Sequence, residues 1–301
     1  MFQLAFKSLA DSTRENYSRT WYKIREYIKT KPELSFIIPL PVDVICLFIT
    51  YVFRCGNAHS TITGHVSAIS YVHKILNLKD STAHPMVGCL LNAVKKEAPK
   101  KLELLPISID MLHDILRYCN IISYNKFDCC LFRAILLLQY HACARIGEIV
   151  VSQSNTRNSL KLQHLTFDKW NRMIIDFVYY KHGEEQSSQA LIIEPSGDEF
   201  CPSRAVKSYL ELRNSMKESI FFVDRAGKPI TRLVVANFLK NLLISAQYDA
   251  SRYDTHSLRS GRACQAAADG WSETQIQRLG RWKSNAYKRY LRGPLICPML
   301  K

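Results

Sequence analysis

Thr255-His256-Ser257-Leu258-Arg259-Ser260-Gly261-Arg262 and Leu279-Gly280-Arg281-Trp282-Lys283-Ser284-Asn285-Ala286-Tyr287-Lys288-Arg289-Tyr290-Leu291-Arg292 are the two stretches on which the reading of this chain turns. His256 and Arg259 stand three apart, so both project from one side of a turn or first helical turn. Alone, H-x-x-R arises by chance in many basic proteins. The second stretch alone reads as a basic amphipathic helix with its aromatics packed inward. Upstream, His141-Ala142-Cys143-Ala144-Arg145-Ile146-Gly147-Glu148-Ile149-Val150 sets Arg145 beside the apolar run 134–138. An arginine there is partly buried and must be paired, and Glu148, one turn on, is the local partner. Each stretch has an ordinary structural explanation; the information lies in their order along the chain.

The 301 residues hold 41 Lys and Arg against 26 Asp and Glu, a net charge of +15. Such an excess predicts a polyanionic partner, nucleic acid or an acidic membrane surface. At 47% hydrophobic and 22% charged residues, the chain lies in the globular range and outside the disordered and collagen-like classes. At roughly 100–200 residues per domain, two domains are expected. The longest apolar run, 37–53, contains Pro39, Pro41 and Asp43 and is too short to cross a bilayer. Residues 1–11 lack the apolar core of a signal peptide, so a soluble intracellular protein without a membrane partner is expected. The ten cysteines include no C-x-x-C pair. Cys46, Cys89 and Cys143 lie in apolar runs, so reduced core thiols are expected in place of a metal site or a disulfide framework.

Periodicity gives the organisation. Ser12-Thr13-Arg14-Glu15 reads as a capping box ahead of Tyr17, Trp21, Ile24 and Ile28 on one helical face. Pro41, Ser60 and Pro85 open three further apolar helices, so residues 1–98 read as an all-α unit. Through Lys101 the chain carries 14 basic and 7 acidic side chains, and the remainder is basic too. Lys95-Lys96-Glu97-Ala98-Pro99-Lys100-Lys101 breaks the pattern, so a linker is expected over 99–107. It reads as a solvated connector, as a cationic strap across a phosphate backbone, or as both. Beyond it, 108–301 read as a second domain. Helices are expected at 109–118, 127–140, 203–212, 233–246, 260–268 and 273–279. A hairpin joins 172–180 to 190–193 through a polar loop, 181–188. The expected class is mainly α with a small antiparallel β-sheet.

Signatures for other chemistries are missing: the chain has no P-loop, no G-x-G-x-x-G and no H-E-x-x-H. What remains is R-x-x-E at Arg145 and Glu148, a hairpin lysine at Lys181, H-x-x-R at His256 and Arg259, G-x-W ending at Trp282, and Y-x-R at Tyr290. This order resembles the tyrosine recombinase (phage integrase-like) family over essentially the whole chain, since the helical first part looks like that family's core-binding domain. The wording Leu-Gly-Arg-Trp-Lys-Ser and Tyr-Lys-Arg-Tyr-Leu-Arg is similar to recombinases of eukaryotic mobile elements of the DIRS-like and crypton kinds.

The resemblance implies a helical core-binding domain followed by an α+β catalytic domain. It also implies a DNA strand-exchange enzyme that needs no metal or other cofactor. A tyrosine oxygen attacks a DNA phosphodiester, leaving a 3′-phosphotyrosyl bond and a free 5′-hydroxyl. On that pattern Tyr290 is the nucleophile, with Tyr287 as its competitor. Arg145 and Arg259 meet the phosphate charge with bidentate guanidinium groups. Lys181 is the general acid for the departing 5′-oxygen, ahead of Lys161 and Lys169. His256 accepts a proton near the nucleophile or donates to the phosphate. Trp282 packs on the nucleophile, although counting back from Tyr290 by the family's usual spacing lands on Arg281. Glu148 orients its neighbours. Lys95, Lys96, Lys100, Lys101, Arg262, Arg281 and Lys283 are expected on double-stranded DNA. The resemblance further implies a tetramer on DNA, a monomer or dimer when free, and a nuclear location. Pro294 and Pro298 discourage a long helix after Tyr290. Two readings compete: a type IB topoisomerase-like enzyme rejoining within one duplex, and a domesticated DNA-binding protein without catalysis.

Overall fold

In the computed structural model the chain divides into two units, Met1–Lys101 and Leu102–Lys301. The structure describes residues 2–98, 102–152, 159–177, 189–213 and 219–290.

The first unit is helical: α1 (Phe2–Lys7), α2 (Asp11–Lys29), α3 (Val42–Arg54), α4 (His59–Ile75) and α5 (Pro85–Glu97). Helical spacing brings Ile24, Tyr27 and Ile28 of α2 onto Val44, Ile45, Phe48, Ile49 and Val52 of α3. Ile62, Val66 and Ile69 of α4 and Val87 and Val94 of α5 close the core. Pro85 sits in the first turn of α5, where its missing N–H costs nothing. The capping box expected at Ser12 does not form. Helix α2 begins one residue earlier, at Asp11, and its N-cap Ala10 provides no side-chain bond. Between α4 and α5, Asp80 accepts from Ser70 Oγ at 2.6 Å and from Thr82 through both Oγ1 (2.6 Å) and N–H (3.1 Å). Lys74 Nζ lies 3.4 Å away and the buried His73 Nδ1 3.7 Å away.

The second unit opens with a segment docked on its own core. Leu105 N–H donates to Arg252 O at 2.8 Å, and the fully buried Ile107 donates to Ser257 O at 2.9 Å. A Cβ on Gly261 would stand 1.7 Å from Ile107 O, so glycine is required for this approach. Residues 102–107, expected in the linker, are thus a structural part of the second unit. Its elements are α6 (Ile109–Arg117), α7 (Cys119–Ile122), α8 (Lys126–His141), α9 (Ile146–Ile149), β1 (Leu165–Phe167), β2 (Met173–Phe177), β3 (Gln189–Ile193), α10 (Pro202–Arg213), α11 (Arg232–Ser245), α12 (Thr255–Ala268) and α13 (Glu273–Gly280). Helix α8 is capped by Asn125, which accepts from Asp128 N–H at 3.0 Å. It is buried nearly all round, between α10 and α12. The sheet is antiparallel in the order β1-β2-β3, with Leu165 opposite Ile175 and Ile175 opposite Leu191. Alternation buries Met173, Ile175 and Phe177 of β2 against the helices.

Among the described residues no helix is long and apolar enough to cross a membrane. Nine described cysteines are free thiols. Cys143 is buried as expected, but Cys89 is exposed, because α5 turns Val87 and Val94 inward and leaves position 89 outside.

Candidate active site

Two helix endings build the site. Helix α8 stops where Cys143 takes a left-handed backbone (φ 45°) and Ala144 N–H reaches back to Gln139 O at 3.0 Å. The chain then re-enters a helical turn at α9, with Arg145 at its N-cap position. Glu148 Oε2 accepts the Arg145 N–H at 2.9 Å, and Glu148 Oε1 accepts from the Arg145 guanidinium at 2.8 Å. The R-x-x-E spacing is therefore a local capping device that also fixes a carboxylate inside the protein.

Helix α13 ends in the same manner. Arg281 takes a left-handed backbone (φ 54°) at the C-cap, a conformation that costs a side-chain-bearing residue about 1–2 kcal/mol. Trp282 then folds back so closely that a Cβ on Gly280 would stand 1.9 Å from its ring. The exposed carbonyls of both helix ends carry the negative pole of the helix dipole, and arginines meet them. Arg259 donates to Cys143 O at 2.6 Å and to Gly280 O. Arg281 donates to Leu279 O at 3.1 Å and to Ala142 O at 3.3 Å.

Glu148 is the centre of the set. Arg281 Nη2 lies 2.9 Å from Oε2, Arg145 Nη1 2.8 Å from Oε1, and Arg259 Nη1 4.0 Å from Oε2. Burial alone would raise the Glu148 pKa; Arg281, Arg259 and Arg145 outweigh it and hold the carboxyl below its usual range. Burial pulls Arg259 down to about 10, so it stays charged at neutral pH. Three guanidinium groups thus share one carboxylate. Arg259 is fully buried, yet its Nε finds no hydrogen-bond partner, and the same holds for the Nε of the buried Arg281. Orphaned buried donors in a cation-rich pocket can receive an anion.

Helix α12 supplies the rest. Asp254 caps it by accepting from His256 N–H (2.6 Å) and Ser257 N–H (3.2 Å), which sets His256 at the exposed first turn and Arg259 one turn deeper. Desolvation, followed by Arg232, Arg259 and Arg145, lowers the His256 pKa against the opposing pull of Asp254, so the imidazole is neutral at pH 7. The Arg259 guanidinium centre lies 4.3 Å from the Trp282 ring centroid, and the Tyr290 ring lies 5.6 Å from the same ring. Trp282 therefore touches both a buried cation and a tyrosine. Tyr290 is half-buried, while Tyr287 is fully buried in a small core with Ile276, Leu279 and Trp282. Desolvation foremost raises the Tyr287 pKa.

Arg145, Glu148, His256, Arg259, Trp282 and Tyr290 thus gather in one region of the second unit. Arg281, expected on DNA, is 4% exposed and points into that region, because its left-handed turn reverses the side chain onto Glu148. Arg262 is half-buried, 3.9 Å from Asp269 and stacked 5.1 Å from the Trp271 ring centroid. Lys283 is exposed, as are Lys95 and Lys96 at the end of α5. Lys181, Lys100, Lys101 and Arg292 lie outside the described residues. Of the rival lysines, Lys161 is half-buried ahead of β1, and Lys169 lies on the β1–β2 turn. Arg232 was missed in the sequence. It is exposed in the first turn of α11, acts on His256, and has its Cδ 3.8 Å from where a Gly147 Cβ would stand. Nothing local marks it, because Gly147 and His256 are distant in sequence.

No family model matches this chain, and no curated protein matches it. Solved structures do. The XerH site-specific recombinase bound to a palindromic difH substrate, a post-cleavage complex, superposes with a TM-score of 0.64 at 17% identity, over 92% of this chain and 75% of that one. The Tn1549 transposon integrase in complex with transposon right end DNA gives 0.63 at 14% identity, over 94% and 89%. A lambda integrase dimer bound to a core site gives 0.60 at 15% identity, over 96% and 73%. This chain has the tyrosine recombinase fold, mostly helical with a small three-stranded antiparallel sheet.

Proposed function

We propose that the protein is a DNA strand-exchange enzyme, a site-specific recombinase or integrase serving a mobile element. The observation that carries the reading is the surplus of charge at Glu148: three arginines share one carboxylate, and the buried Nε of Arg259 has no partner. A scissile phosphate placed there takes up the surplus, with Arg145 and Arg259 as preorganised charge stabilisers. Tyr290 Oη attacks phosphorus and its proton passes to the neutral His256. The bond to the 5′-oxygen breaks and Lys181 protonates the leaving oxygen, leaving a 3′-phosphotyrosyl link that a second 5′-hydroxyl reverses. Both units bind double-stranded DNA, the protein assembles as a tetramer on it, and the work is done in a nucleus.

Arg259 favours one other reading. Its two terminal nitrogens are already spent on backbone carbonyls, as in an arginine that only holds two helix ends together. A DNA-binding protein without catalysis would have this feature.

The test is a nicked suicide duplex with candidate element ends, mixed with the protein without added metal and denatured. A covalent adduct that disappears in Tyr290→Phe and persists in Tyr287→Phe supports the reading. An adduct lost only in Tyr287→Phe moves the nucleophile. Tight binding without any adduct favours the binder, and rejoining confined to one duplex favours the topoisomerase-like enzyme.

A further inference from the structure

Arg281 is left without a role once a phosphate has been assigned to Arg145 and Arg259, although it is buried in the same pocket as Arg259. Glu148 Oε2 is the contested atom. It accepts from Arg281 Nη2 at 2.9 Å and from Arg145 N–H at 2.9 Å, while Arg259 Nη1 stands at 4.0 Å, beyond hydrogen-bond reach. Arg281 is itself fixed from three sides. Its guanidinium bonds the carbonyls that close α8 and α13, and it lies 3.9 Å from the Phe177 ring centroid on β2. Take away this cation, and Arg259, 4.0 Å from Oε2 and the one guanidinium of the three not yet hydrogen-bonded to Glu148, is free to move onto that oxygen. An Arg259 bound to Glu148 has its charge neutralised and its free donor turned from the anion seat.

We infer that Arg281 is a positioning residue: it occupies Glu148 so that Glu148 does not occupy Arg259. This rests on the reading of Arg145 and Arg259 as phosphate-binding groups. The device stands on geometry alone: one carboxylate oxygen, two competing arginines, and a left-handed turn that delivers the nearer one.

The experiment compares wild type, Arg281→Met, Arg281→Lys and the double variant Glu148→Gln/Arg281→Met, all as the full chain. Two readouts are taken: single-turnover adduct formation at saturating suicide DNA, and the rise in Tm produced by sulfate relative to chloride. The expected result is that Arg281→Met slows adduct formation on the order of 10- to 100-fold with unchanged DNA affinity. Removing the Glu148 charge in the double variant restores most of that rate, and Arg281→Lys is intermediate. Sulfate stabilisation follows the same order, without requiring chemistry. The inference is overturned if the double variant is no faster than Arg281→Met. It is also overturned if Arg281→Met instead weakens DNA binding and lowers the salt slope by about one, the mark of a direct phosphate contact. If wild type forms no adduct but the sulfate series holds, the catalytic reading fails and the positioning role stands. If wild type forms the adduct and the sulfate series is flat, the positioning role fails alone. Should Arg281→Met not fold, Arg281→Lys with and without Glu148→Gln decides on the same criteria.

Discussion

Two carboxylates organise the two units, and they are built to opposite specifications. Asp80 in the first unit is satisfied by two hydroxyls, one backbone N–H and one lysine, beside a histidine whose pKa is lowered by burial. Its charge is balanced one for one. Glu148 in the second unit is surrounded by three arginines and is outnumbered by two. A balanced ion is structure and has nothing left to offer a ligand. An unbalanced one carries a standing cost that a bound anion would remove. The contrast separates scaffold from site without reference to any motif.

The largest expected effect tests the unbalanced side. Arg145→Ala or Arg259→Ala should lower the cleavage rate per folded molecule on the order of 10²–10³-fold, read as adduct formation normalised to the folded fraction. If only stability falls and the normalised rate survives, the arginines are structural and the contrast collapses. Next is Glu148→Gln, which leaves the buried Arg259 and Arg281 and the half-buried Arg145 without their counter-ion. It should cost about 3 kcal/mol in denaturant unfolding, and sulfate should recover more of that loss than it adds to wild type. Asp80→Asn should show no sulfate recovery, which sharpens the comparison.

A smaller effect concerns acid. The hydroxyl, N–H and lysine partners hold the Asp80 carboxyl down at about 2, against 3.8 for a free group, in spite of partial burial. A depressed carboxylate contributes stability above the unfolded pKa and loses it as pH falls through the folded one. The contribution, about 2 kcal/mol, should therefore be complete above pH 4 and decline toward pH 2. The difference between wild type and Asp80→Asn in urea unfolding should narrow across that window. The smallest effect belongs to the rim. Arg232 helps to hold His256 neutral, so Arg232→Ala should move the acidic limb of the cleavage pH profile to higher pH, with little change at the plateau. An unmoved limb would mean that His256 does not set it.

Much of this was legible in the residues. Pro85 marked the start of α5, Pro41 marked the start of α3, and the β-rich run after Arg172 marked the hairpin. Arg145 and Glu148 were paired correctly from spacing alone, because a capping contact is local. What escaped is long-range or depends on backbone sign. Strand β1 is three residues long, too short for alternation to register. Arg281 was placed with the DNA-facing cations although the family's spacing also lands on it, because nothing in composition announces a left-handed arginine. The contact of Trp282 with Arg259 depends on a chain reversal made by Gly280 and Arg281 together. Ser12 had a capping sequence, but the helix begins one residue before it.

The eight residues of α13 act as a ruler. Each residue added to an α-helix advances its end by about 1.5 Å and rotates it by about 100°. One extra residue in α13 would swing Arg281 away from Glu148 and carry Trp282 and Tyr290 with it. A single-residue shortening would do the same in the other sense. The geometry of the site is thus encoded as a count as well as a set of side chains, and this stretch should tolerate substitution on its outer face far better than insertion.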